Sequence, residues 1–152
     1  IFKELRTKEE IATYYDVLLM NLKKLGLQAV HSLDDLYDLK FNRFDDKIKF
    51  YGVYHEDKLI AGSMIFIFNQ DIYHTQYLSS DENYLKMYPM DFLIENLIQT
   101  AVDMQMRIFT FGICTEDQGR YLNLGLSRFK EGFGTEFCIN RSYEKCYKGI
   151  DE

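Results

Sequence analysis

The segment "IKFYGVYHEDKLIAGSMIFIFNQDIYHTQYLSS" constrains the fold most. It is β-branched and aromatic throughout, and only two short polar breaks interrupt it, Glu56–Lys58 and Asn69–Asp71. Breaks of that length and composition are hairpin turns, so three consecutive antiparallel strands are predicted. Ile65 to Phe68 are apolar without alternation, which places the middle strand under cover on both faces. Something must therefore supply two covering layers.

The flanking segments supply them. "RTKEEIATYYDVLLMNLKKLG" carries Ile11, Tyr14, Tyr15, Leu18, Leu19, Leu22 and Leu25 at helical period. Thr7 with Glu10 has capping-box spacing, and Gly26 suits the position just past the helix end. Ser32 opens a second helix bearing Leu33, Leu36, Tyr37 and Phe41. After a polar loop, Pro89 suits a first helical position, and Met90, Leu93, Ile94, Leu97, Ile98, Ala101 and Val102 form the next stripe. "RIFTFGIC" reads as a strand, "GRYLNLGLSRFKEG" as a helix and "TEFCINRSYEKCY" as a last strand or hairpin. The predicted order α-α-β-β-β-α-β-α-β makes a mixed, largely antiparallel sheet flanked by helices, in one domain over residues 1–152. The crossover into the fourth strand is expected to be parallel and right-handed. That geometry lets two neighbouring strands part, near Tyr77 and Gly112.

Bulk properties narrow the function. The chain has 152 residues and a formal net charge of −6, with scattered lysines and no basic stripe, which disfavours DNA and tRNA. No apolar run is long enough to span a bilayer. Cys114, Cys138 and Cys146 have no metal spacing and read as reduced, mostly buried thiols of a cytoplasmic protein, with no metal cofactor.

The motifs "AVHSLDDLYDL", "LIAGSMIFIF", "YHTQYLSSDENY", "FTFGICTEDQGRYLNLGL" and "FKEGFG", in this order, cover about Ala29 to Gly134. The chain resembles the GNAT (Gcn5-related) N-acetyltransferase superfamily, and within it the FemAB-like acyltransferase branch, whose members often carry two such domains. A start at Ile1 without methionine agrees with a C-terminal half. The resemblance implies transfer of an acyl group from acetyl-CoA or another acyl-CoA to a primary amine of a small molecule or peptide. It leaves two alternatives open: a non-catalytic module of the same fold used for binding or dimerisation, and an aminoacyl transferase. Tyr- and Phe-rich strands would suit a homodimer.

The resemblance also implies where the cofactor lies. In this superfamily main-chain N–H groups after the third meander strand hold the CoA diphosphate, here around Tyr77, Leu78, Ser79, Ser80, Asn83 and Lys86. The usual glycine-rich loop is absent, and Asp81 and Glu82 would repel an anion. Asn123 and the later helix positions, including Phe129, correspond to pantetheine contacts, and Lys130 could reach a phosphate or stand solvated at a helix end. The superfamily's thiolate-protonating tyrosine would fall near Arg128 or Phe129, so Tyr121 is the nearest phenol. For proton removal, His74 and Gln76 lie two apart on one predicted strand and share a face, with Tyr73, Thr75 and Tyr77 on the other. His74 is the candidate general base or a hydrogen-bonded strand residue, and Gln76 the group that orients the acceptor. His31 reads as a loop residue before Ser32, and His55 as a solvent-facing hairpin residue. In "FKEGFG", Gly132 is expected to supply the left-handed helix stop and Gly134 a close turn.

Overall fold

The computed structural model describes residues 1–145. They belong to two compact units, Ile1–Gly112 and a second that begins at Ile113.

The first unit is built on a five-stranded sheet of β1 (Phe2–Leu5), β2 (Ile48–His55), β3 (Lys58–Phe68), β4 (Ile72–Ser80) and β5 (Ile108–Thr110), in that spatial order. The first four pair antiparallel and β5 joins β4 in parallel. The meander forms where the polar breaks predict it. Asn69 and Gln70 both take left-handed φ, 53° and 57°, as a primed hairpin turn requires. One face of the sheet packs on α1 (Lys8–Lys24) and α2 (Leu33–Tyr37) through Tyr14, Leu18, Phe50 and Met64. The other packs on α3 (Pro89–Asp103) through Ile65, Tyr73, Leu93 and Leu97. The middle strand β3 is thus covered on both sides, as its unbroken apolar run predicts.

The Thr7 capping box is formed: Thr7 Oγ1 accepts from Glu10 N, and Glu10 Oε2 accepts from Thr7 N and Arg6 N. A hydrogen bond from Lys3 Nζ, joined by the Arg6 N–H, pulls the Glu10 carboxyl from its ordinary 4.5 to about 2. A depressed carboxylate stabilises the fold above its unfolded pKa, and the contribution is lost as pH falls toward the folded one. Glu10→Ala is therefore expected to cost about 1 kcal/mol at neutral pH. The cost should shrink as pH is lowered from 4.5 toward about 2, as denaturant titrations at several pH values would show.

The structure departs from the predicted elements at five points. Strand β1 is absent from it: four residues carry no periodicity, and they become a strand only by pairing Phe2–Leu5 with Val53–Phe50. Strand β5 is shorter than predicted because Gly112 turns left-handed at φ 70°. In the second unit the last helix, α4 (Leu124–Glu131), does not begin at Gly119. Asp117, Gln118 and Gly119 all have positive φ and instead close a small hairpin of β6 (Thr115–Glu116) and β7 (Tyr121–Leu122). No strand follows α4 over residues 135–145, and Cys146 and Tyr147 lie outside the described residues. Gly132 stays right-handed at φ −57°, and Gly134, at φ 76°, takes the left-handed position instead.

Candidate active site

Strands β4 and β5 are paired only at Ile72–Ile108, Tyr73–Phe109 and His74–Thr110. Beyond that rung β4 continues to Ser80 paired with β3 only. The last rung is tied off by Thr75 Oγ1, which donates to the Thr110 carbonyl at 3.3 Å, while Thr110 Oγ1 accepts from Gly112 N at 3.1 Å.

The free length of β4 contains a bulge. Ile65 pairs with Thr75 and its neighbour Met64 with Tyr77, so Gln76 is an extra residue with no rung of its own. The bulge corrects the predicted faces. Tyr73 faces the α3 core, but Tyr77 packs on the α1 side, the side on which His74 meets Phe66 and Phe68. After the bulge it is Leu78 that faces α3. Alternation fails here because one residue is spent without crossing the sheet.

The predicted site residues of the first unit gather along this strand. His74 is half-buried, with its ring beside Gly112: a Cβ built there would lie 3.2 Å from His74 Cε1. Gln76, Tyr77 and Leu78 are half-buried and Ser79 and Ser80 buried. Ser79 and Ser80 are thus strand residues and not loop donors. Tyr77 Oη lies 2.9 Å from His31 Nδ1, and Tyr15 Oη donates to the His31 carbonyl. Nothing in the sequence flags this cluster, because the bulge inverts Tyr77 and the loop carrying His31 is placed by tertiary contacts alone.

A short 3₁₀ turn, Glu82–Met87, follows β4 and carries Asn83 and Lys86, both exposed. The two acids expected to repel an anion are engaged. Asp81 is 3% exposed and pairs with Lys58 at 2.8 Å while accepting from Asn83 N and Nδ2. Burial works against its charge, but Lys58 and Asn83 outweigh it and hold the carboxyl below its ordinary range. Glu82 pairs with Lys24. The turn ends on Tyr88 in the left-handed region, and no side chain caps α3. Pro89 has no N–H to give, so the unpaired first-turn donors are those of Met90 and Asp91. Two main-chain donors, the positive end of a 15-residue helix and the exposed Lys86 fit an anionic diphosphate.

In the second unit, Tyr121 is exposed on β7. Asn123 is the N-cap of α4 and not a residue within it: its Oδ1 accepts from Leu126 N, and its Nδ2 donates to Glu116 at 2.6 Å. Phe129 packs edge-on against Phe133. Lys130 is not a solvated helix-end lysine. It is 6% exposed, its Nζ donates to the Ile113 carbonyl at 2.7 Å, and burial pushes its pKa down against the opposing pull of Cys114. Cys114 is buried, whereas Cys138, expected to be buried, is exposed because no strand forms around it. Among the described residues no helix is long and apolar enough to cross a membrane.

Comparison with solved structures finds the same architecture. An aminoglycoside acetyltransferase, meta-AAC0020, from an uncultured soil metagenomic sample, solved with sisomicin, matches at TM-score 0.65 and 12% identity over 96% of each chain. AAC(6')-Iy, solved with the bisubstrate analogue CoA-S-monomethyl-acetylneamine, matches at 0.67 and 11%, covering 96% of this chain and 98% of its own. An integron cassette protein from V. cholerae, VCH_CASS6, matches at 0.69 and 12%, covering 99% and 93%. No curated protein matches significantly by sequence. The family model described as an acetyltransferase (GNAT) domain matches residues 2–131. With its mixed sheet, its single parallel pair and that match over most of its length, the chain belongs to the GNAT acetyltransferase family.

Proposed function

We propose that this protein is an N-acyltransferase that moves an acyl group from acyl-CoA to a primary amine of a small molecule or peptide. One observation carries the reading: β4 leaves its parallel partner after His74, bulges at Gln76, and leads through a short turn to an uncapped helix N-terminus. The comparisons support it at the level of the family, and the neighbour solved with a CoA bisubstrate analogue supports the donor. On this reading residues 1–152 work as one transferase domain of the FemAB-like branch, in the cytoplasm.

Bound acyl-CoA would supply an activated thioester carbonyl and a thiolate leaving group. The chain's own groups divide the remaining work. Met90 N, Asp91 N and Lys86 hold the diphosphate, with Asn83 keeping Asp81 turned inward. Main-chain N–H groups released from the ladder at the bulge donate to the oxyanion that forms as the amine attacks. Gln76 orients the acceptor, and His74 takes the proton released as the amide forms. The sisomicin complex of one neighbour points to polycationic amines as first acceptors to try.

Isothermal calorimetry with acetyl-CoA tests the donor site. Saturable binding is expected, with stabilisation of about 2.7 kcal/mol at a hundredfold excess over Kd. Lys86→Ala should weaken binding about tenfold with no change in melting, since a single exposed charge-assisted contact is worth roughly 1–2 kcal/mol. Absence of heat and of any thermal shift at millimolar acetyl-CoA would leave a non-catalytic member of the fold.

A further inference from the structure

Acylation of an amine at neutral pH requires two deprotonations. The ammonium must lose a proton before it can attack, and the nitrogen loses a second as the amide forms. His74 sits at the last paired rung of β4, flanked by Phe66 and Phe68. A second histidine stands on the same face of the sheet, beside the open part of the strand, and the family match assigns it nothing.

His31 reaches that position from the loop between α1 and α2. Its Nδ1 lies 2.9 Å from Tyr77 Oη, with the two rings edge-to-face at 5.9 Å. Tyr15 Oη fixes the loop by donating to the His31 carbonyl at 3.0 Å. Both members of the pair are half-buried, so a solute can reach them while packing holds their geometry. A carboxylate lies close to the ring. Asp35, locked by Ser32 N and Ser32 Oγ at 2.8 and 2.7 Å, stands near enough that His31 also helps lower its carboxyl, after the larger effect of Ser32. Arg43 acts on Asp35 from the π-helical turn Asp38–Arg43. The Tyr14 side chain nearby is fully buried. Desolvation raises the pKa of Tyr14 and, more weakly, of Tyr15, so both phenols stay neutral and do not compete for the proton.

We propose that Tyr77 and His31 form the proton relay of the acceptor site, receiving the first proton of the incoming ammonium. This rests on the transferase reading above. With the ring proton on Nε2, the Tyr77 hydroxyl donates to His31 Nδ1. As the ammonium N–H breaks, its proton bonds to Tyr77 Oη, while the original Tyr77 O–H breaks and an N–H forms at His31 Nδ1. The amine keeps the electron pair it needs for attack, and the imidazolium faces Asp35. On turnover that proton leaves to solvent. The second proton, released as the amide forms, goes by way of His74 to the departing sulfur.

The relay predicts a pH signature that a structural role would not give. The kcat/KM of wild type, His31→Gln, Tyr77→Phe and His74→Ala is to be measured with acetyl-CoA and three probe amines: spermine, sisomicin and Nα-acetyl-lysine amide. At neutral pH, His31→Gln and Tyr77→Phe should each lose about 10²-fold. Both should recover to within about threefold of wild type as pH approaches about 10, where a lysine-like amine sheds its proton unaided. Their calorimetric affinity for acetyl-CoA should be unchanged, and His74→Ala should show a loss that high pH does not repair. Tyr77→Phe keeps the ring and its packing, so it decides the matter if His31→Gln melts early. A deficit equal at all pH values, or none, overturns the relay while leaving the transferase standing. A wild type that binds acetyl-CoA but acetylates none of the three amines overturns both.

Discussion

Deleting Gln76 is expected to lower kcat about 10²–10³-fold while leaving the Ile1–Gly112 unit folded. Without the extra residue Tyr77 follows Thr75 directly, so regular alternation returns with Tyr77 to Ser80 on their present faces and opposite their present β3 partners. Leu78 keeps its place against α3 and Tyr77 its place on the α1 side. What is lost is the break in the ladder, and with it the main-chain donors assigned to the oxyanion. Gln76→Ala keeps the residue count and should cost less than about 1 kcal/mol, since the half-buried side chain is not what the bulge needs. Urea titrations followed by circular dichroism compare the two. A deletion variant that folds and turns over at the wild-type rate would show that the bulge is dispensable, and the proposed oxyanion donors would lose their basis.

That residue also marks where sequence reasoning stops. The meander, the stripe on α1 and the stripe on α3 are legible because each rests on spacing within one segment: Ile11 to Leu25, Met90 to Val102, Asn69 to Asp71. The face of Tyr77 is not, because a bulge belongs to a pair of strands, and nothing in "YHTQYLSS" says which residue lacks a partner. The same holds for β1, which exists only as a mate for Phe50–Val53, and for the His31 loop, brought to Tyr77 by the docking of α1. Charge was misread for a related reason. Asp81 and Glu82 look like a repulsive pair until Lys58, from the start of β3, and Lys24, from the end of α1, take them up. The "GRYLNLG" stretch has helical composition, yet three successive left-handed residues just before Arg120 delay the helix to Leu124. Position on β4 is therefore legible for His74, Gln76 and Tyr77, and the partners of these residues are not.

The second large effect is predicted at Gly62, which pairs with Gly52 across β2 and β3. This double absence of side chains leaves room for Tyr14 beside Gly62 and for Leu5 and Leu59 beside Gly52. A Cβ at Gly62 would lie 2.5 Å from Tyr14 Cδ2 and 2.9 Å from the Tyr51 carbonyl oxygen. Neither can yield. The Tyr51 oxygen is backbone, and the Tyr14 ring is fully buried, edge-on to Phe50 at 5.6 Å. Gly62→Ala is therefore expected to cost about 3 kcal/mol, the upper range for overpacking a core, although alanine is ordinarily a mild replacement. A double-mutant cycle isolates the cause. Tyr14→Ala alone should cost about 3–5 kcal/mol by leaving a cavity. In the Gly62→Ala background it should cost at least 1 kcal/mol less, roughly, because the new methyl no longer meets a ring. Additive losses would mean that strain in β3, and not the clash with Tyr14, sets the penalty. The same contact links stability to the site: Gly62 pairs with Ser79, and Tyr14 lies below Tyr77. A partly tolerated Gly62→Ala should consequently also weaken the neutral-pH turnover assigned to the Tyr77–His31 pair, and raising the pH should restore it.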